Sequence, residues 1–174
     1  MPLSDPIPVY LEPDYLAALA HRPSTSRKDL ILYNPSKGAK VTARLQKACP
    51  QWSFRPLQGL DRGELAEAFL GAKLYIDFGH HPGKDRLPRE AAVHGCCVVT
   101  SRYGSAANSV DVPISERYKL DTRAPDFVGR FETLVDGIFR GDFESCRQDF
   151  TGYRETIRRE AEIFREHIKA LICA

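Results

Sequence analysis

Residues 74–99 read LYIDFGHHPGKDRLPREAAVHGCCVV, and this stretch decides the fold class. It begins and ends with short runs, residues 74–78 and 96–99, that are almost continuously apolar. Strands of that kind are typical of a parallel sheet that is covered by helices on both faces. Between the runs, a polar loop leads into a helix-length segment, residues 86–94, which Gly95 can terminate. The stretch therefore predicts a β–α–β unit.

The same alternation continues on both sides of this unit. Apolar runs at residues 30–33 and 52–57 precede it, and residues 118–120 are a candidate for a short fifth strand. Residues 40–48 have the periodicity of a crossover helix, and Asp61 can cap another. The pattern predicts an α/β fold, a single Rossmann-like domain with a parallel sheet of about five strands and helices on both faces.

The chain is expected to form one domain over residues 1–174, which is close to the usual size of a single domain. Its βα core covers residues 29–121, and residues 122–174 supply C-terminal helices. Residues 1–28 form an N-terminal extension, in which Asp14 is expected to cap a short apolar helix.

The C-terminal segment predicts a long amphipathic helix. Its apolar residues recur at spacings of 4, 3, 4 and 3, the period of one helical face. The stripe covers only about two heptads, so docking on the chain's own domain is expected in preference to a coiled coil. The members of this stripe are Ile157, Ala161, Phe164, Ile168 and Leu171.

Composition limits the function classes. The formal net charge of +2 is too small to indicate a nucleic-acid partner. No apolar run approaches the roughly 20 residues that a membrane span needs, and residues 1–6 lack the features of a signal peptide. Five cysteines without CxxC spacing favour a reducing compartment and a packing role for the thiols. We therefore expect a cytoplasmic protein without a membrane span.

The loop after the first strand, residues 34–38, is the first candidate for binding chemistry. In parallel α/β sheets ligands bind beyond the carboxyl ends of the strands. This loop offers the Lys37 ammonium and backbone N–H groups at the mouth of a helix, a combination that suits a diphosphate. It matches neither the P-loop nor the GxGxxG fingerprint. A plain strand-to-helix turn with a solvated lysine is the alternative interpretation.

The loop after the third strand is dense in polar groups. A carboxylate near the start of the following helix can accept both hydroxyls of a ribose, while basic side chains nearby bind phosphate. The alternative is that Asp85 is only an N-cap and Glu90 only a favourable charge near the helix start. The ionisable and imidazole side chains in this loop are His80, His81, Lys84, Asp85, Arg86, Arg89 and Glu90.

A metal site is a third interpretation of the histidines. It would be built from His80, His81 and His94. Adjacent histidines diverge, and neither HxH nor HExxH spacing is present. We therefore expect no metal site, and no cofactor is indicated by any motif.

Three strings in the chain resemble a known family. They are residues 32–38 (LYNPSKG), 75–92 (YIDFGHHPGKDRLPREAA) and 95–100 (GCCVVT). They are similar to the C-terminal, donor-binding domain of bacterial group 1 glycosyltransferases of GT-B fold, and the likeness covers about residues 30–120. The segment 88–95 (PREAAVHG), ahead of an apolar strand, resembles the family element whose glutamate binds the donor ribose.

The resemblance implies roles for individual residues. Glu90 would bind the ribose, and Lys37 with Gly38 would face the donor diphosphate. The family's acidic sugar contact lies eight positions before the glutamate, where this chain has Pro82. The substitutes for that contact would be His81 or Asp85, and no catalytic residue is assigned. The remaining pocket residues would be Arg86, Gly104 and Ser105.

The function that the resemblance implies is that of a glycosyltransferase-like donor domain for a nucleoside-diphosphate sugar, of the hexosyltransferase class if active. A GT-B enzyme has a second, N-terminal domain that supplies most of the acceptor site, and residues 1–28 are too few to form one. Transfer would then need a separate polypeptide that carries the N-terminal half, or the chain would be a remnant or fragment of a two-domain transferase. The alternative is a non-catalytic nucleotide-binding or protein-interaction module.

Overall fold

The structure is a computed structural model that describes residues 10–20 and 26–172. Expectations for residues 1–9, 21–25 and 173–174, and for the side chain of Leu171, lie outside this description. No helix among the described residues is both long enough and apolar enough to cross a bilayer.

A five-stranded parallel sheet forms the centre of the domain, with the strand order β2-β1-β3-β4-β5. This architecture, with helices on both faces and a long C-terminal helix, confirms the predicted Rossmann-like α/β fold. β3 is central and nearly fully buried, as its continuous apolar run predicts. The strands are β1 (Lys28–Tyr33), β2 (Ser53–Pro56), β3 (Ala72–Asp77), β4 (Cys97–Ser101) and β5 (Lys119–Leu120).

The helices divide between the two faces of the sheet. α2 and α5 share one face, where Trp52, just after α2, has its ring centroid 5.9 Å from that of Phe131 in α5. α3 and α4 share the other face with α1 and α7, where the rings of Phe69 and His94 lie 5.4 Å apart. The helices are α1 (Pro13–Ala20), α2 (Ala39–Ala48), α3 (Arg62–Gly71), α4 (Arg86–Val93), α5 (Phe127–Phe139), α6 (Phe143–Gln148) and α7 (Thr151–Ile172).

The described part of the N-terminal extension, residues 10–20 and 26–28, packs on the core and differs in one detail from the prediction. α1 begins at Pro13, so Asp14 lies inside the first helical turn instead of capping it. Leu11, just before the helix, is buried in the hydrophobic core. Tyr15 lies against the ring of His94, with centroids 5.8 Å apart. α1 therefore packs against the C-terminal end of α4.

The C-terminal helix α7 docks on its own domain, as the short heptad pattern predicts. Ile157 and Ala161 are buried. Glu160 on the same face is also buried and forms an ion pair with Arg89 of α4, with 2.8 Å between Nη1 and Oε2. α7 thus packs against α4 and α1 through an apolar stripe and one buried charge pair.

The strand order creates a position where a ligand can bind. β1 lies between β2 and β3, so the chain moves to one side of β1 after the first crossover and to the other side after the second. In open α/β sheets this change of direction leaves a crevice at the carboxyl ends of the strands. The loops that follow β1 and β3 border that crevice.

Candidate functional site

The loop after β1 ends in an open helix N-terminus. Asn34 shapes the turn, because its side chain accepts from the N–H of Ser36 at 3.0 Å and its carbonyl from the N–H of Lys37 at 3.2 Å. Gly38 is the N-cap of α2, with a φ of 64°, and no side chain caps the helix. The first N–H groups of α2 therefore point out of the helix without a side-chain acceptor from the described part of the chain, in the field of a helix dipole that favours anions.

The loops after β1 and β3 touch through two glycines. A Cβ on Gly38 would lie 2.7 Å from the carbonyl carbon of Phe78, and a Cβ on Gly79 would lie 2.6 Å from Cβ of Lys37. Any side chain at either position would push the loops apart. This close approach places Lys37 over the beginning of the polar loop.

The loop after β4 joins the same assembly. Ser105 donates its N–H to the carbonyl of His81 at 2.9 Å and its hydroxyl to the carbonyl of Gly83 at 2.6 Å. Gly104, with a φ of 60°, lies so close that an added Cβ would be 2.1 Å from the same His81 oxygen. The loops after β1, β3 and β4 therefore converge at the carboxyl edge of the sheet.

A cluster of charged groups lies inside these loops. His81 is 1% exposed, and its Nε2 lies 3.4 Å from Oδ1 of Asp77 while its Nδ1 lies 3.1 Å from Oδ2 of Asp85. The Lys37 ammonium contacts the same Asp85 carboxylate. Asp85 occupies the N-cap position of α4 but makes no cap hydrogen bond. Its side chain is directed to Lys37 and His81, which argues against a role as an N-cap alone.

Asp77 is held as a carboxylate despite its burial. Burial by itself would raise its pKa, but the nearby His81 ring, with Nε2 3.4 Å from Oδ1, the N–H of Gly79 at 3.0 Å and the hydroxyl of Tyr75 at 3.1 Å outweigh that effect. The pKa of Asp77 is therefore lowered, and the group is ionised at neutral pH. Sequence reasoning missed this residue, although an aspartate at the end of an apolar strand was a usable signal.

The second group of candidate residues is a charge pair on α4. Arg86 Nε lies 2.7 Å from Oε1 of Glu90. Glu90 is 1% exposed, and its other oxygen, Oε2, has no hydrogen-bond partner among the described residues. A buried carboxylate oxygen without a partner is uncommon and costs free energy, so Glu90 is more than a surface charge near a helix start.

A small pocket lies beside this pair. Its volume is about 130 Å³, and it opens between α1 and the N-terminal ends of α3 and α4. The pKa of Arg62, at the start of α3, is raised first by Glu12 and to a smaller degree by Glu90. The pocket is lined by Tyr10, Leu11, Glu12, Tyr15, Arg62, Arg86 and Arg89.

The comparisons with known proteins give no family assignment for the chain. No protein-family model matches it, and no curated protein matches it. The geometry, charge and burial of the site are therefore the basis for assigning a function.

The predicted site residues fall into two adjoining groups. The first group lies in the converging loops, and the second is the pair on α4 beside the small pocket. Asp85 belongs to the first group and its chain neighbour Arg86 to the second, so the start of α4 links them. The first group is Lys37, Gly38, His81, Asp85, Gly104 and Ser105, and the second is Arg86 and Glu90.

His94 lies apart from His80 and His81. His94 follows the last turn of α4, where its Nδ1 lies 2.7 Å from the carbonyl oxygen of Glu90. His81 lies before the first turn of the same helix, which is about 12 Å long at 1.5 Å per residue. The structure therefore gives no site built from His80, His81 and His94.

Three of the four described cysteines have the packing role that their sequence context predicts. Cys49, Cys96 and Cys97 are buried, and all four described cysteines are free thiols. Burial raises the pKa of Cys49 to about 11 and that of Cys96 to about 12. Thiols with such pKa values are poor nucleophiles at neutral pH.

Proposed function

We propose that this chain is a donor-binding domain that binds a nucleoside-diphosphate sugar at the carboxyl edge of its sheet. The observation that carries the proposal is Oε2 of Glu90, a buried carboxylate oxygen without a hydrogen-bond partner among the described residues. Its location in α4, directly after the converging loops, is where an α/β sheet of this topology binds nucleotides.

The ribose is the part of the donor that Glu90 would bind. A carboxylate accepts hydrogen bonds from neighbouring hydroxyls, and the vicinal pair of a ribose offers two donors at one site. Oε1 already accepts from Arg86, which fixes the plane of the carboxylate. Oε2 would then accept from the sugar, and the cost of its burial would be offset on binding.

The diphosphate would lie at the uncapped N-terminus of α2, beside Lys37. Backbone N–H groups and the helix dipole favour an anion there. The Lys37 side chain is 28% exposed and is paired with Asp85, so a phosphate would compete with this carboxylate for the ammonium. Gly38 begins the helix with a positive φ and lets the loop after β1 lie against the backbone of Phe78 and Gly79 beside this N-terminus.

The transferred sugar would lie near Asp85. His81 is buried, whereas the side chain of Asp85 is 20% exposed, which makes Asp85 the better-placed of the two candidate sugar contacts. We also propose that acceptor binding and transfer need a second domain. Donor binding is therefore the property to test on this chain alone.

Thermal unfolding with a panel of nucleosides, nucleoside diphosphates and nucleoside-diphosphate sugars tests the proposal. A ligand present at 100 times its dissociation constant should stabilise the fold by about 2.7 kcal/mol. We expect diphosphates to stabilise and nucleosides alone to have little effect. A preference for sugar conjugates would favour a donor domain, whereas equal binding of diphosphates with and without a sugar would favour a non-catalytic nucleotide-binding module. No stabilisation by any member of the panel would contradict nucleotide binding.

Lys37→Ala should weaken the binding of the best diphosphate by about 10- to 150-fold, because a charged hydrogen bond contributes roughly 1.5–3 kcal/mol. Isothermal titration calorimetry on the folded variant measures the change. Lys40→Ala is the matched control, since Lys40 is an exposed lysine in the first turn of the same helix. Equal affinities for the two variants would leave Lys37 as a residue of a plain strand-to-helix turn.

A further inference from the structure

His81 is a buried polar side chain without hydrogen bonds among the described residues. Its side chain is fully buried, and neither ring nitrogen makes a hydrogen bond with any of the described residues. Two carboxylates flank the ring, with Asp77 near Nε2 and Asp85 near Nδ1, but they approach in directions that do not complete hydrogen bonds. Buried polar atoms are rarely left in this condition, because each costs free energy when it has no partner.

We propose that Asp77, His81 and Asp85 form a binding site for a divalent first-row metal ion. One ligand atom from each residue lies within 4.8 Å of the others. Two ligands that share one metal ion at about 2.0–2.2 Å are themselves about 3.0–3.6 Å apart. The nitrogen–oxygen separations of 3.4 and 3.1 Å around the His81 ring fall in that range, so small adjustments would close the site.

The ligand set indicates which ions fit. One imidazole with two carboxylates is a mixed nitrogen and oxygen set, which suits Zn²⁺ or Mn²⁺ better than Ca²⁺, an ion that prefers six to eight oxygen ligands. Three protein ligands also leave at least one coordination position for water or another oxygen ligand. The site is therefore of the open type and does not depend on the proposed nucleotide.

The surroundings of the two carboxylates support this assignment. Metal ligands are usually oriented by further hydrogen bonds that fix the lone pairs aimed at the ion. Asp77 receives the N–H of Gly79 at 3.0 Å and the hydroxyl of Tyr75 at 3.1 Å. Asp85 is held by the Lys37 ammonium, whose long and partly exposed side chain can move aside when a dication neutralises the carboxylate.

This ligand set differs from the histidine-based site considered from the sequence, because two of its three members are carboxylates. The spacing is Asp-x3-His-x3-Asp across the end of β3 and the following loop. A metal ion there would also fix the loop after β4, since Ser105 is bonded to the His81 carbonyl.

Titration of the metal-depleted chain tests the proposal without any nucleotide, so its failure leaves the donor-binding proposal intact. The probes are Zn²⁺, Mn²⁺ and Co²⁺ added separately, followed by calorimetry and, for Co²⁺, by visible absorption of the coordinated ion. We expect one ion per chain for at least one of these metals. Absence of one-to-one binding by all three would overturn the proposal.

Variants locate the bound ion. His81→Gln and Asp85→Ala should each weaken binding by at least about 100-fold, the upper end of what loss of an outer-sphere partner costs. Asp85→Ala keeps the test decisive if His81→Gln does not fold, because the side chain of Asp85 is partly exposed. The control is His80→Gln, the exposed neighbouring histidine. Affinity that is unchanged in Asp85→Ala, or equally reduced in His80→Gln, would overturn the assignment.

Discussion

Replacing Glu160 by alanine is expected to lower the free energy of unfolding by about 3–5 kcal/mol. Arg89 on α4 and Glu160 on α7 form an ion pair, with 2.8 Å between Nη1 and Oε2 and side chains that are 2% and 3% exposed, respectively. The substitution leaves the Arg89 guanidinium buried without its carboxylate, although its bonds to the carbonyls of Lys84 and Asp85 remain. Urea denaturation measures the loss.

Glu162→Ala on the same helix is the matched control. Glu162 also pairs with an arginine, Arg159, but at 3.4 Å and with side chains that are 57% and 67% exposed. Such a surface pair contributes at most about 1 kcal/mol. If Glu160→Ala were as mild as Glu162→Ala, α7 would not be docked on α4 through this pair.

Gly104→Ala is expected to cost about 3–5 kcal/mol or to prevent folding. The backbone of Gly104 has φ 60° and ψ −143°, a region that is essentially restricted to glycine. In addition, the new Cβ would lie 2.1 Å from the carbonyl oxygen of His81. The loop after β4 would have to separate from the loop after β3, and the hydrogen bond from Ser105 would be lost.

Gly59→Ala distinguishes the effect of backbone strain at a positive φ from the effect of the contact between the added Cβ and a neighbouring loop. Gly59 also has a positive φ, of 69°, but an added Cβ there has nothing within 4 Å. Its substitution should cost only about 1–2 kcal/mol of backbone strain. Thermal or urea unfolding of the two variants gives the comparison, and similar losses in both would argue that the loops do not meet at Gly104.

The sheet could be predicted because its interior strands are buried on both faces. Burial on both faces makes the runs in β3 and β4 continuously apolar, and such runs stand out in a sequence. The short helix α6 gave no comparable signal, since none of its residues is buried. The prediction that Asp14 caps α1 was wrong because a proline and an acidic residue both suit the first turn of a helix. The exact start of the helix then depends on local geometry.

The candidate site could be predicted only in part. Which loops carry it follows from strand topology, and the pairing of Arg86 with Glu90 follows from i, i+4 spacing on a helix. The contact between Lys37 and Asp85 joins residues 48 positions apart, and it depends on two glycines that let the loops touch. No periodicity or local motif encodes such a contact, so the cluster around His81 could be found only in three dimensions.

Titration of Glu90→Gln with matched ribose and 2′,3′-dideoxyribose forms of the best nucleoside diphosphate is the most direct test of nucleotide binding at this site. The wild-type chain should bind the ribose form about 10- to 150-fold more tightly, because the buried Oε2 accepts a hydroxyl that the dideoxy form lacks. Glu90→Gln should bind both forms with the same weak affinity. Glu155→Gln, at an exposed position on α7, should behave as the wild type. Undiminished discrimination by Glu90→Gln, or equal binding of both forms by the wild type, would contradict the assignment of the ribose to Glu90.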